Sequence, residues 1–224
     1  MKSPNGIFFA IVVCAVLAVA VFFLVDLSAD KVYGSPEEVF NASRVAIQKK
    51  DLRAWCRCLT DDSRDIIAIT RVKFSFAKED ALSKEDKAII EVQTRHGLTE
   101  EYLAKLEPEA KAMRRPDVGP DDQLRFAQKV LQPVTDRNGF FADLYGIILA
   151  KPGAGNPFGL FAEGKLNDVK IDGKLAMGII SIGAKEEPIR MMFRKQGEGW
   201  RIDIIETEKQ EAQQRMPPPG FHHK

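Results

Sequence analysis

FAEGKLNDVKIDGKLAMGIISIGAKEEPIRMMFRKQGEGWRIDIIE, the stretch from Phe161 to Glu206, decides the fold class of this chain. Isoleucine, valine, methionine and phenylalanine alternate there with charges between turn signals, the period-2 pattern of a sheet with one wet and one buried face. It reads as four antiparallel strands. Ile189, Met191 and Phe193 are expected on one face, with Arg190 and Arg194 on the other. Trp200, Ile202 and Ile204 should likewise oppose Arg201, Asp203 and Ile205. Asp172-Gly173 can supply the positive-φ pair of a two-residue hairpin, Gly183 to Pro188 makes a longer loop, and Gly197-Glu198-Gly199 returns the chain into the last strand.

Working outward, the whole chain has 224 residues, 45% hydrophobic and 29% charged, enough for one globular domain with a sizeable core and appendages. Its 33 basic and 32 acidic residues leave +1, so no global field attracts nucleic acid, and that class of partner is excluded. Three cysteines, Cys14, Cys56 and Cys58, are too few for a disulfide framework.

Ile7 to Val25 is an unbroken run of 19 apolar residues. As a helix it covers roughly 28 Å, about the hydrocarbon thickness of a bilayer. A cleaved leader is the competing reading. Its apolar region usually spans about 7 to 15 residues and ends at a small-x-small site, but here the best cleavage position, after Ala29, has Leu27 at −3. An uncleaved anchor over residues 1–30 is the favoured reading. The amino terminus and Lys2 before the run, against Asp26, Asp30 and Lys31 after it, give a slight preference for a cytoplasmic N-terminus and a globular part on the extracytoplasmic side of the cell membrane. Ala10, Cys14 and Ala18 form a small-residue stripe that could pair two anchors into a homodimer.

Ser35-Pro36-Glu37-Glu38 is a capping box with proline at the first helical position, opening a helix with Val39, Phe40, Ala46 and Ile47 on one stripe. A shorter helix should run from Leu52 to Leu59 around Trp55. Thr60 to Ser63 should cap another, whose Ile66, Ile67, Ile69 and Phe74 would complete a helical layer over the sheet. Residues 77–131 turn charged and helical and read as an insertion beside the core. They include Asp86 to Arg95, a helix opening at Thr99-Glu100-Glu101 with Leu103, Leu106 and Ala110, a break at Arg114-Arg115-Pro116, and a helix opening at Pro120 with Leu124, Phe126, Val130 and Leu131. Phe140 to Leu149 is too short an apolar run for periodicity to choose between helix and strand. The polar residues 207–224, ending in Pro217-Pro218-Pro219 and the tip, are expected to be disordered.

Candidate chemistry is sparse. Cys56 and Cys58, two apart on a helix, diverge by about 200° and have no second Cys/His cluster at zinc spacing, so one should be buried and the other near the surface. His96 before Gly97 sits where a helix ends and reads as a C-terminal charge partner; Arg114 and Arg115 are an anion-binding candidate. His222-His223 lack further ligands. With no nucleophile elbow, P-loop, dinucleotide fingerprint or metal-ligand cluster, no catalytic, cofactor or metal residue is assigned.

Three segments together resemble the nuclear-transport-factor-2-like superfamily of cone-shaped domains (cystatin-like, SnoaL-like), in the form exported by bacteria. They are Ser35 to Phe40 leading through Ala46 to Asp51, Trp55 and Leu59; the hairpin Val169 to Ala176; and Met192 to Asp203. The resemblance implies an α+β fold over residues 35–206. Its curved antiparallel sheet would wrap around N-terminal helices with a pocket at the open end, and the charged stretch 77–131 departs from the compact pattern. Because that superfamily holds enzymes, binding modules and assembly domains, it is silent on activity. The favoured function is a membrane-anchored, non-catalytic module for an unknown ligand or protein partner. The alternatives are a small isomerase, dehydratase or hydrolase acting in the cone, and a structural subunit of a cell-envelope complex. His96 within reach of a carboxylate in a concave pocket would favour the enzyme.

Overall fold

The computed structural model describes residues 31–74, 82–115, 118–150, 162–182 and 188–215. Tyr33–Lys224 forms one compact unit and Met1–Val32 another. The apolar run Ile7 to Val25, the loops 151–161 and 183–187, and the tail beyond 215 lie outside the described residues. No helix among the described residues is long and apolar enough to cross a membrane.

The described residues form an α+β structure with eight helices and one four-stranded antiparallel sheet in the order β1-β2-β3-β4. The strands are β1 (Lys165–Asp172), β2 (Leu175–Ser181), β3 (Ile189–Gln196) and β4 (Gly199–Ile202). Asp172 pairs with Leu175, so the first hairpin turns on Gly173-Lys174, one residue later than the Asp172-Gly173 pair expected. Gly173 alone carries the positive φ, at 59°, which only a residue without Cβ adopts freely. Gly197, also at φ 59°, does the same in the tight turn between Gln196 and Gly199.

Alternation places Ala176, Gly178 and Ile180 of β2 opposite Phe193, Met191 and Ile189 of β3, and Phe193 opposite Ile202. Of these, Ala176, Ile180, Met191, Phe193 and Ile202 are at most 3% exposed, so the apolar face anticipated from the sequence is the core face. Met192 departs from the pattern. It shares the side of Arg190 and Arg194 yet is buried, because the chain leaves the sheet at Ile202 and folds back on β3. The Asp203 N–H donates to Met192 O (2.9 Å), and the Met192 N–H donates to Thr207 Oγ1 (2.9 Å).

The last strand therefore ends two residues short of Ile204, which instead opens a helix over Ile204–Arg215 where a disordered tail was expected from residue 207. A polar composition gave no apolar period to detect there; the helix rests on its cap and on the β3 edge it satisfies. The outer edge of β4 is covered as well. Trp200 N–H donates to Tyr33 O (2.9 Å), Ile202 N–H to Cys58 O (2.8 Å) and Thr60 N–H to Ile202 O (2.9 Å), which removes an open strand edge.

The N-terminal helices are α1 (Pro36–Gln48), α2 (Leu52–Cys56) and α3 (Asp61–Ile69). Ser35 Oγ accepts from Glu38 N–H, while Glu38 Oε2 reaches past the cap to Gly34 N–H at 2.7 Å. The expected stripe of Val39, Phe40, Ala46 and Ile47 is buried, and α1 packs on β4 and β1. The second helix stops at Cys56, short of Leu59, because Cys58 to Thr60 is drawn into the β4 edge. In α3 the buried positions are Ser63, Arg64, Asp65 and Ala68, not the isoleucines, which stay half-buried.

Then follow α4 (Lys84–Arg95), α5 (Glu100–Ala112), α6 (Pro120–Val130) and α7 (Arg137–Leu149). The undecided run 140–149 is thus helical, with Phe140, Phe141, Leu144 and Tyr145 buried. The charged stretch is not a separate layer. Ile89, Val92, Leu98, Leu103, Leu106, Phe126 and Val130 join Phe40, Trp55, Phe140 and Phe193 in one core, since α4 packs on α7 and α6 on α3. Each of these helices spends one apolar stripe on that core and leaves its charges wet.

Candidate functional site

Three polar clusters and one cleft stand out from this frame. The first cluster bolts α3 to α7. Arg64 is 9% and Asp65 1% exposed; Asp65 Oδ1 accepts from Arg64 Nε (3.2 Å) and Nη2 (3.1 Å), and Asp65 Oδ2 pairs with Arg137 Nη1. Arg64 Nη1 reaches Asn138 Oδ1 (3.1 Å) and Asp61 (2.9 Å). Burial pushes the Asp65 carboxyl above its ordinary value, opposed by the two guanidinium groups. Every lone pair faced by a donor here is used within the protein, so the cluster holds helices together.

The second cluster ties α3 to the helix α8 (Ile204–Arg215). Ser63 Oγ, fully buried, accepts from Thr60 Oγ1 (2.7 Å) and Ile204 N–H (2.9 Å) and donates to Asp203 Oδ1 (3.4 Å). Asp203 Oδ1 also accepts from Glu206 N–H (3.0 Å), the geometry of an N-cap, and Oδ2 accepts from Arg194 Nε (2.6 Å).

The third contains His96. It is the C-cap of α4, as its position before Gly97 suggested, and its Nε2 lies 3.0 Å from Asp143 Oδ2. The ring meets Phe140 edge-on at 5.4 Å, and Arg95 shares the same carboxylate at 3.6 Å. Neither His96 nor Asp143 lines the cleft described next, so the pair meets only half of the condition set for an enzyme.

That cleft, of about 290 Å³, is walled by Ile66, Ile69 and Thr70 at the end of α3, by Val72 and Phe74 beyond it, by Ala110 and Met113 of α5, and by Gln123 and Phe126 of α6. Phe74 and Phe126 rings stand 5.7 Å apart within it. Arg114, exposed, completes the lining, and its guanidinium makes no ion pair or hydrogen bond among the described residues. Arg115, its partner in the sequence motif, instead turns Nε back to Ala112 O at 3.3 Å. The neighbouring charges are already matched: Lys111 with Glu107 (2.9 Å), Asp121 with Lys209 (2.7 Å), and Asp122 with Arg125. Among the described residues Arg114 is thus a cation without a counter-charge at an apolar hollow. Among the described residues that line the cleft there is no His, Cys, Asp or Glu.

The cleft is not where the cone-shaped family would put a pocket. The described residues of its walls come from helices and the segments that follow them, whereas Met191, Phe193 and Ile202 of the sheet are buried in the core. Sequence reasoning singled out Arg114 but missed the rest, because four segments separated by up to 60 positions supply the walls.

Both cysteines of the Cys56-x-Cys58 pair are buried thiols outside any disulfide, correcting the expectation that one lies near the surface. Chain reversal after α2 turns Cys58 inward, where its Sγ meets Tyr33 Oη and Ala54 O, each at 3.4 Å. Burial pushes the Cys56 thiol and the Tyr33 phenol well above their ordinary values. Among the described residues no group of three or more His, Cys, Asp or Glu side chains is arranged to hold a metal ion. Comparison with protein-family models, curated proteins and solved structures finds no match.

Proposed function

We propose that this chain is a membrane-anchored, non-catalytic binding module whose ligand occupies the cleft between α3, α5 and α6. The observation that carries the reading is a cleft near the lower end of ligand-pocket size whose described lining is apolar except for Thr70, Gln123 and Arg114, with no His, Cys, Asp or Glu among those residues. Ile7 to Val25, with its 19 apolar residues, supplies the tether on this proposal and leaves Tyr33 onward outside the cytoplasm. An antiparallel four-stranded meander preceded by helices that pack on it supports kinship with the nuclear-transport-factor-2-like domains, with the binding site displaced from the cone to the helical side.

The enzyme reading draws on the His96 to Asp143 contact alone. A ring packed on Phe140, with its carboxylate shared by Arg95 and lying away from the cleft, fits a helix-terminal charge partner better.

The test is thermal unfolding of the full chain in nanodiscs with 1-octanol as probe. At a hundredfold excess over its dissociation constant a ligand adds about 2.7 kcal/mol, or roughly 5–10 °C for a chain of this length. Ala110→Met and, at the rim, Met113→Trp should each remove that gain while unfolding at an unchanged temperature without probe. An equal gain in wild type and both filled variants would refute binding in the cleft.

A further inference from the structure

Resting on the cleft as the binding site, we infer that its ligand is a short single-chain amphipathic carboxylate, tail inward and head group on Arg114. Size sets the tail. A cleft of about 290 Å³ lies at the lower end of ligand-pocket size, which suits one short chain better than two. The lining sets its chemistry: Ile66, Ile69, Val72, Phe74 and Phe126 offer apolar surface with no donor or acceptor that a polar chain would need.

Charge sets the head group. Arg114 is the lining residue with a full charge, and it is not satisfied by any described neighbour. A planar guanidinium presents two parallel N–H groups that match one carboxylate. The start of α6 adds to it. Gln123, in the first turn of that 11-residue helix, lines the cleft with Arg114 and offers a side-chain amide donor to a carboxylate. The first-turn acids Asp121 and Asp122, which would repel an anion, are engaged by Lys209 and Arg125. A cationic amphiphile would meet Arg114 unscreened.

The experiment photolabels the full chain in membranes with decanoate carrying a diazirine near its tail and maps labelled peptides. Label is expected on the segments holding Ile66 to Phe74, Ala110 to Met113 and Phe126. Unlabelled decanoate should compete about tenfold better than decanol, and decyltrimethylammonium more weakly still. Arg114→Gln should erase the preference for decanoate over decanol, and Arg114→Lys should keep part of it. Arg71→Gln, which removes an exposed guanidinium between the lining residues Thr70 and Val72, should leave the preference intact. Label in the cleft with decanol competing equally, or a preference that survives Arg114→Gln, overturns the carboxylate while leaving the cleft as a binding site. Strong competition by a two-chain phosphatidate overturns the single-chain assignment. Label absent from these segments, or unaffected by Ala110→Met, overturns both readings.

Discussion

Asp203 offers a sharp test of how the C-terminal end of the domain is built. Replacing it with alanine removes the acceptor for Glu206 N–H at the start of α8, for the Ser63 hydroxyl, and for Arg194 Nε. Loss of an N-cap costs about 1 kcal/mol. Stranding a hydroxyl at Ser63, which is 0% exposed, adds about 1 kcal/mol. The ion pair contributes less than about 1 kcal/mol, because the Arg194 side chain is 47% exposed and solvent screens it. Asp203→Ala should therefore destabilise by about 2–3 kcal/mol. Asp203→Asn, which keeps a carbonyl oxygen at the cap and loses only the charge, should cost under about 1 kcal/mol. For a chain of this length those figures correspond to drops of about 5–10 °C and about 2 °C. Urea unfolding followed by the fluorescence of Trp55 and Trp200 reads the energies, and amide exchange over Ile204–Arg215 reads the helix. Equal damage from both variants would mean that charge, not the cap, holds this corner. Unchanged exchange in Asp203→Ala would refute the cap altogether.

Three further outcomes follow from the same reasoning. Asp136 caps α7 through Gly139 N–H (2.8 Å) and pairs with Arg53 (3.2 Å), which together hold its carboxyl below the ordinary 3.8. A depressed carboxyl stabilises the fold above its unfolded value and loses that contribution as pH falls through the folded one, so an acid titration from about pH 4 downward should be flatter in Asp136→Asn than in wild type. At Gly139 a Cβ would lie 2.2 Å from Asp136 Oδ2 and 2.8 Å from Arg53 Nη2, so Gly139→Ala should cost about 1–3 kcal/mol in urea unfolding; a neutral result would show the cap free to move aside. Cys56 and Cys58, buried and with the Cys56 thiol pushed up, should resist maleimide at pH 8 until urea unfolds the domain, and fast labelling of the native chain would contradict their placement.

How much of this was legible beforehand depends on the range of the interactions involved. Ser35, Thr60 and Thr99 each cap a helix through a backbone N–H three residues on, a contact local enough to read from spacing. The sheet was legible for the same reason: two-residue alternation and the glycine turns at Gly173 and Gly197 are near-neighbour effects. Where a residue's partner lay far along the chain, the reading missed. Asp203 looked like the outward side of a strand, yet Ser63, 140 positions away, makes it a buried cap. Ile66, Ile67 and Ile69 were expected to be the inner side of α3, yet contacts with Arg137, Asn138 and Ile204 draw Ser63, Arg64 and Asp65 inward instead. The isoleucines displaced from the core by this rotation then wall the cleft.

By itself the amino-acid order determined that there is an antiparallel ribbon of four strands, a set of capped amphipathic helices before it, and an apolar run of 19 residues at the start, because each depends on contacts within about one turn or one hairpin. Tertiary structure alone decided that the charged middle helices share the single core, that the Cys56 and Cys58 thiols are inside, and that Arg114 has no partner for its guanidinium among the described residues at an apolar hollow. Burial and charge balance are properties of neighbours in space, and those neighbours are assembled only when the chain closes on itself.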